Sequence, residues 1–364
     1  MHDIDVLVTP REAGGHEKAL LGWLRDAVAH EGLRPRLLLP AGQLRVDAHD
    51  IGLGAWIDAR EVGQSPWALV SELARGPRQR PLLLAPGVLH HQAWLTAAAV
   101  TRRTCVWLYV PMTHTATRMG YRAGAWRDAM LGSWLRRVQG FITIDEPQSE
   151  QLRRRWGISA PVLALPNRMR VRGAAPALPP PAPNGRLRVG YVGRFDAHQK
   201  GLDWLASTLR TEPVLHERCK WHFQGRGPAE ALLHTLAAEL GPQRMQVHAF
   251  APLESALSEV DLLVLPSRYE GLPLVALEAT ARGWPVAASD MAGLEGLLPA
   301  SSLFAFGDVA GLRTSLASLA SPSHRRAAVV HARARMVEQW PERRYHAARA
   351  AVVQALVQAG KGSA

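Results

Sequence analysis

Two glutamates, Glu270 and Glu278, flank a turn in the segment YEGLPLVALEATARGWPVAAS. An apolar run of strand length, DLLVLP at 261–266, precedes it, and a second short one, PVAA at 285–288, follows. The pattern predicts strand, loop, helix, strand. Pro273 suits the first helical turn and Gly283 the position just past the helix end. Glu270 then stands at the mouth of a helix N-terminus, with Glu278 about two turns along. Free N–H groups at a helix start attract an anion. Carboxylates beside a bound phosphate are electrostatically costly unless they accept hydrogen bonds from hydroxyls. A sugar attached to a diphosphate needs both kinds of partner side by side.

Basic residues recur upstream. In GYVGRFDAHQKGLDWL (190–205) a predicted strand ends at Gly193-Arg194, and Lys200 precedes Gly201 at a helix start. Arginine offers a planar fork and lysine a mobile point charge, and together they can clamp a diphosphate. Solvated loop charges are the alternative reading. FQGRGP (223–228) places Gly225 and Gly227 after another strand, where the backbone can approach a ligand or simply turn. Gly14-Gly15 opens the first helix and could cradle a phosphate or admit an acceptor. It lacks the GxGxxG spacing and the lysine of a P-loop. His90-His91 and His114 lie near predicted strand ends, where ligands sit in such sheets. No His/Cys/Asp cluster has metal-ligand spacing, and no GxSxG elbow is present.

The elements that must position these residues fall into two halves. IDVLVT (4–9), LRPRLLLP (33–40), PLLLAP (81–86), TCVWLYVP (104–111), GFITID (140–145) and APVLALP (160–166) read as buried strands, with helical stretches between most of them. Such alternation predicts a parallel sheet covered on both faces. In 171–186 five of sixteen residues are proline and four alanine, a semi-stiff linker. The alternation restarts with LRVGYVG (187–193), KWHFQG (220–225), MQVHAF (245–250) and DLLVLP. The expected architecture is α/β, two doubly wound Rossmann-like domains facing across a cleft.

At 364 residues the chain fits two domains, and with 47% hydrophobic content it can fill both cores. Its two cysteines, the lack of a signal-peptide core in MHDIDVLVTPREAGG and the absence of a membrane-spanning apolar stretch point to a reduced cytosolic setting. The net charge of +12 attracts nucleic acid, anionic membrane or phosphorylated substrate alike. Only Lys18, Lys200, Lys220 and Lys361 among the 43 basic residues are lysines. That skew lowers the value of any one arginine as a signal and raises that of Lys200.

Taken in order, these segments resemble the retaining glycosyltransferases of family 4, which have the GT-B fold. The similarity runs from Gly193-Arg194 through Lys200-Gly201, Gly225-Arg226-Gly227-Pro228, Pro266-Ser267, Glu270-Gly271-Leu272-Pro273, Glu278-Ala279, Gly283-Trp284-Pro285-Val286 and Phe306-Gly307-Asp308 to the helix around Trp340. The first half matches loosely, through Gly14-Gly15, the strand pattern and Pro166-Asn167. The resemblance implies an N-terminal acceptor-binding domain at 1–170, the linker at 171–186 and a nucleotide-sugar domain at 187–335. It also implies a C-terminal helix at 336–364 that crosses back to the first domain. Arg194 and Lys200 would hold the diphosphate, Glu278 the ribose hydroxyls and Glu270 the donor sugar. The amides of Leu272, Pro273's neighbours Gly271 and Leu274, and Val275 would contact sugar and phosphate. Phe250-Ala251 would lie beside the base. The family's sugar-contacting histidine falls in LYVPMTH, at Pro111 or His114.

The implied reaction moves a sugar from a UDP- or GDP-sugar to a saccharide or lipid-linked acceptor, with retention and with no metal or further cofactor. Glu270 is expected to orient the donor rather than act as a covalent nucleophile. Trp107, Trp126 and Trp134, with Arg102, Arg103, Arg118, Arg122, Arg127, Arg136 and Arg137, mix basic and aromatic character. They fit either core packing or an interfacial patch on an anionic inner leaflet, so the expected location is cytoplasmic and peripheral. A non-catalytic GT-B partner protein and a basic nucleic-acid binder are the rival readings. Aromatics at only 6% and no DNA- or RNA-binding signature count against the latter. The oligomeric state stays open.

Overall fold

The computed structural model describes residues 2–10, 14–58, 62–63, 65–169, 171, 173, 185–291 and 293–361. The chain forms two compact units, Met1–Arg168 with Glu342–Ala364, and Met169–Pro341. The proline-rich stretch expected at 171–186 falls largely outside the described residues.

The first unit runs β1 (His2–Val8), α1 (Gly15–Glu31), β2 (Leu33–Leu38), α2 (Gln43–Asp50), α3 (Pro66–Arg75), β3 (Leu82–Ala85), α4 (Ala93–Arg102), β4 (Val106–Tyr109), α5 (Gly124–Leu135), β5 (Gly140–Thr143), α6 (Glu146–Trp156) and β6 (Val162–Ala164). Six parallel strands take the order β2-β1-β3-β4-β5-β6. The central strands are apolar throughout because helices cover both faces. Leu69 of α3, Leu95 of α4, Leu131 of α5 and Trp156 of α6 share one core with Leu84, Leu108 and Phe141. Of the residues read above as core or interfacial, two are interior. Trp107 is a buried β4 side chain, and Arg103 is buried with its Nη2 2.5 Å from Asp5 Oδ2. A charge enclosed at that depth needs such a partner.

The second unit runs β7 (Leu187–Arg194), α7 (Leu202–Thr211), α8 (Pro213–Arg218), β8 (Cys219–Arg226), α9 (Glu230–Leu240), β9 (Met245–His248), α10 (Leu253–Ser258), β10 (Leu262–Leu265), α11 (Leu274–Ala281), β11 (Val286–Ser289), β12 (Leu303–Phe304), α12 (Val309–Ala320) and α13 (Pro322–Gln339). Its parallel strands take the order β12-β11-β10-β7-β8-β9. The chain winds outward from β7, then returns to lay β10 against the other side of β7. The strand order reverses between β7 and β10, the place where open α/β sheets bind ligands.

The last helix, α14 (Glu342–Lys361), belongs to the first unit. It begins beyond the expected 336 because α13 continues to Gln339 and Pro341 breaks the run. Tyr345, Arg349, Val352, Val353 and Leu356 form its buried stripe. Buried Asp26 of α1 accepts hydrogen bonds from the Tyr345 hydroxyl at 2.9 Å and from Arg168 Nη1 at 2.9 Å. Arg349 Nη2 donates to Glu31 at 2.8 Å. These pairs fasten α14 to α1.

One strand carries a titrating group on the face opposite its apolar side chains. Trp221 and Phe223 of β8 enter the core, while His222 faces the other way, its ring stacked 6.1 Å from that of His248. Burial, then the charges of Lys220, His248 and Arg188 against the opposing pull of Asp261, push the His222 imidazole down to about 4 from 6.5. The folded state therefore holds it neutral while the unfolded chain takes up a proton. Its contribution is complete above pH 6.5 and is lost as pH falls from 6.5 towards 4, up to about 3 kcal/mol. His222→Gln should flatten the stability–pH slope in that window relative to the parent in urea titrations. An unchanged slope would refute the assignment.

Candidate functional site

At the switch point the ends of β7 and β10 lie side by side, because Leu262 and Leu263 pair with Val189 and Gly190. β7 also lies tight against β8, with Gly193 opposite Gly225. A Cβ at Gly225 would stand 1.9 Å from the Gly193 carbonyl oxygen, so glycine is required there. Beyond β7 the loop is bracketed by backbone bonds, Phe195 N to Arg226 O at 2.7 Å and Ala229 N to Phe195 O at 2.9 Å. Buried Tyr191 donates to the Arg194 carbonyl at 2.7 Å. Burial, and next the charge of Glu270, hold that phenol well above its ordinary range, so it stays a donor.

The loop bearing Lys200 is clipped to the loop after β10. Gly201 has φ +65°, and a Cβ there would stand 1.9 Å from the Pro266 carbonyl oxygen. Arg268 makes most of the connection. Its N–H donates to Gln199 O at 2.9 Å. Its guanidinium donates to His198 O at 2.6 Å and grips both Asp203 carboxylate oxygens, at 2.7 and 2.9 Å. The same guanidinium lies 4.7 Å from the centre of the Phe306 ring.

This clip brings Lys200 and Glu270 together. Lys200 Nζ lies 2.5 Å from Glu270 Oε1, and Ser267 Oγ donates to the same oxygen at 2.8 Å. Ser267 is held in turn, its carbonyl accepting from Ser289 Oγ at 2.5 Å. Glu270 is 6% exposed. A carboxylate so enclosed needs a cation and hydrogen bonds, and it has both. Arg194, with a side chain 51% exposed, lies 3.4 Å from Asp196 and donates to Gln199 Oε1 at 2.6 Å, one residue before Lys200.

Gly271, Leu272 and Pro273 follow as buried loop residues, and Pro273 takes the N-cap position of α11 rather than a place in its first turn. Because α11 starts at Leu274, Glu278 sits in its second turn, half-buried, nearer the helix start than expected. No side chain caps α11, so the N–H groups of Leu274 and Val275 have no intrahelical acceptor. Gly193 and Arg194 thus lie with Gly225 and Arg226 at the paired ends of β7 and β8, and Lys200 meets Glu270 in the loop that leads into the uncapped start of α11. Phe250, exposed, and Ala251 lie after β9, separated from β7 in the sheet by β8. Gly14 caps α1 and Gly15 begins it, while His114 is buried after β4, its carbonyl 3.2 Å from His90 Nε2. These three belong to the first unit. Among the described residues no group of three or more His, Cys, Asp or Glu is arranged to hold a metal.

Arg268, Asp203 and Tyr191 were not singled out from the sequence. Arg268 lies in PSRYEG beside Glu270, but one arginine among so many carries little signal.

Residues 186–321 match the family model described as Glycosyl transferases group 1. A glycosyltransferase of Methanocaldococcus jannaschii, named as uncharacterized, is 36% identical over 110 residues, 29% of this chain and 27% of that protein. Glycogen synthase of Mycobacterium tuberculosis is 28% identical over 228 residues, 57% of this chain and 53% of that one. The matched stretches thus span about a quarter to a half of these relatives' own length. Among solved structures, Anabaena HepE in complex with UDP-glucose superposes with a TM-score of 0.74 at 14% identity, covering 98% of this chain and all of that one. The two parallel α/β units are of the GT-B class.

If Arg268 is the clip, Arg268→Met should speed amide hydrogen exchange across 197–201 by on the order of tenfold, because a charged, bidentate hydrogen bond contributes about 2 kcal/mol. Arg268→Lys should not restore protection, since a point charge cannot reproduce the planar fork. Unchanged exchange in the Met variant would remove Arg268 from this role.

Proposed function

We propose that this chain, whose residues 186–321 form a glycosyl transferases group 1 domain, transfers a sugar from a nucleoside-diphosphate donor to an acceptor hydroxyl. The donor is a UDP- or GDP-sugar. The acceptor is a saccharide or lipid-linked saccharide in cell-surface polysaccharide or glycolipid assembly on the cytoplasmic side. One observation carries this reading: Lys200 and buried Glu270 meet at the switch point of the second sheet, beside the uncapped start of α11. A neighbour solved with UDP-glucose and a relative named glycogen synthase support a nucleotide-sugar as donor.

In this reading the anomeric C–O bond breaks through an oxocarbenium-like state and charge builds on the departing diphosphate. Lys200, Arg194 and the amides of Leu274 and Val275 stabilise that charge more than they stabilise the bound donor. This set supplies the positive charge without a metal. Glu270 keeps Lys200 aimed and accepts from sugar hydroxyls, and Glu278 accepts from the ribose. Gly193, Gly225 and Gly227 let the backbone close on the diphosphate, and the Phe250-Ala251 loop flanks the base. The first unit, with Gly14, Gly15 and His114, receives the acceptor. Glu270 Oε1 is held by Lys200 and Ser267, which suits an orienting group and a reaction with retention that forms no enzyme–sugar bond.

Thermal unfolding against UDP-, GDP- and ADP-sugars tests the reading. A donor at about a hundred times its Kd adds about 2.7 kcal/mol of stability, and one nucleotide should stand out. Arg194→Ala should leave the unliganded Tm unchanged, because that side chain is half exposed, yet lower donor affinity at least tenfold; loss of a transition-state donor typically costs on the order of a hundredfold in rate. Silence from all three nucleotides would sink the proposal. Intact mass during turnover should show the unmodified chain. A glycosyl adduct on Glu270 would overturn its orienting role.

A further inference from the structure

We infer that the first unit docks on an anionic membrane surface through the exposed face of α5 and the adjoining carboxyl edge of its sheet. The contact centres on the exposed face of α5 and on three tryptophans at the starts of α3, α4 and α5. This extends the lipid-linked form of the acceptor reading above and names the surface that would bring the enzyme to such an acceptor.

The placement follows from topology. β3, β4 and β5 are parallel, and α3, α4 and α5 lead into them in turn. Each helix therefore runs against the strands and begins at their carboxyl ends. The three helices share one core on one face of the sheet, and neighbouring helices stand about 10 Å apart. Trp67, Trp94 and Trp126 fall in their first turns and are 83%, 38% and 65% exposed. Exposed tryptophans so arranged along one edge are unlike the isolated apolar residues normal on a surface. Gly14, Gly15 and His114 lie at the same edge.

The α5 face supplies the rest. Ala125, Trp126, Ala129, Met130 and Ser133 are exposed at helical spacing, an apolar stripe with Arg122 before it, at the carboxyl edge, and Arg136 and Arg137 after it, at the far end of the helix, all exposed. From 86 to 144 the chain holds seven arginines and one acid, Asp128. Asp128 is directed to the loop behind it. It accepts from Ala116 N at 2.7 Å and Thr117 Oγ1 at 2.7 Å, and lies 3.4 Å from His90 Nε2. Nothing else acidic lies on that stretch, and the exposed acid just beyond it, Glu146 at the start of α6, pairs with Arg153 at 3.1 Å. Tryptophans alone would also suit a sugar ring. Met130 and the flanking arginines select a surface both apolar and anionic, the interface of acidic lipids. Among the described residues no helix is long and apolar enough to cross a membrane, so the contact lies on the surface.

Co-sedimentation of the full chain with phosphatidylcholine vesicles, plain or containing about one-third phosphatidylglycerol, decides the matter without donor or acceptor. It can therefore fail while nucleotide-sugar binding stands. The protein should pellet with the acidic vesicles, not the neutral ones, and release as salt rises and screens the charges. Each arginine near such a surface is worth on the order of fivefold in affinity, so Arg122→Glu with Arg137→Glu should weaken binding at least tenfold. Trp126→Ser with Met130→Ser should do likewise. Val330→Ser with Val337→Ser, which removes two exposed valines of α13 in the other unit, should leave binding unchanged. All six positions are exposed, and matching thermal unfolding will show that each variant folds. Failure to bind acidic vesicles at low salt overturns the inference. So does binding that survives both α5 variants, or that falls equally in the α13 variant.

Discussion

The second unit is organised around a carboxylate that has to be buried. Glu270 is almost wholly enclosed, and an ionised group in that position is tolerated only with a charge and hydrogen bonds at contact distance. Lys200 and Ser267 meet that demand at one oxygen. Their placement makes further demands. Ser267 is fixed through its carbonyl by Ser289 on β11. Lys200 is fixed by a loop that passes close to Pro266 only because residue 201 is glycine, and Arg268 holds that loop down. The pair is thus the meeting point of β7, β10 and β11, and a change in any of them reaches it.

Topology explains why this pair sits where it does. Lys200 and Glu270 are 70 residues apart in the chain. They come together because winding outward through β8 and β9 and back to β10 leaves the ends of β7 and β10 adjacent. At such a reversal open α/β sheets leave a crevice at the strand ends, and here α11 begins in the chain that follows β10. Arg333 of α13 donates to the Ala281 carbonyl at 2.5 Å and so caps the far end of α11. The helix is thus satisfied at its C-terminus by protein and left uncapped at its N-terminus. That polarity suits an anion at one end only.

Much of this was legible in the sequence, for physical reasons. Runs such as LLLA, VWLY and LLVL can only be buried strands, and the alternation with helices predicts the parallel sheets. Gly193, Lys200, Glu270 and Gly225 were readable because glycine and lysine are informative against an arginine-rich background. That background hid Arg268. It also made Arg103 look like a surface charge, although it neutralises Asp5 in the interior. Trp107 stayed open in the sequence, since tryptophan serves a core and an interface equally and only the pairing of β4 between β3 and β5 decides. The start of α11 slipped by a residue because proline fits both the cap and the first turn.

The positive charge of the chain therefore has two separate meanings. Arg103, Arg325, Arg333 and Arg349 are buried and act as structural donors. Arg325 binds the Leu319 and Ala320 carbonyls at the end of α12, at 2.8 and 2.9 Å, and Arg349 pairs with Glu31. Such groups project little field outward, so net charge by itself overstates what a partner would feel. The arginines around α5 are different. Arg122, Arg136 and Arg137 lie exposed beside apolar side chains, and the one acid among them, Asp128, is turned inward to hold a loop. Basic groups set beside exposed tryptophans are a local property of that face. Charge counted over the whole chain suggests nucleic acid, membrane and phosphate equally. Sorted by what each side chain touches, it includes buried structural donors, Arg194 and Lys200 held against Asp196 and Glu270, and the exposed arginines that flank α5.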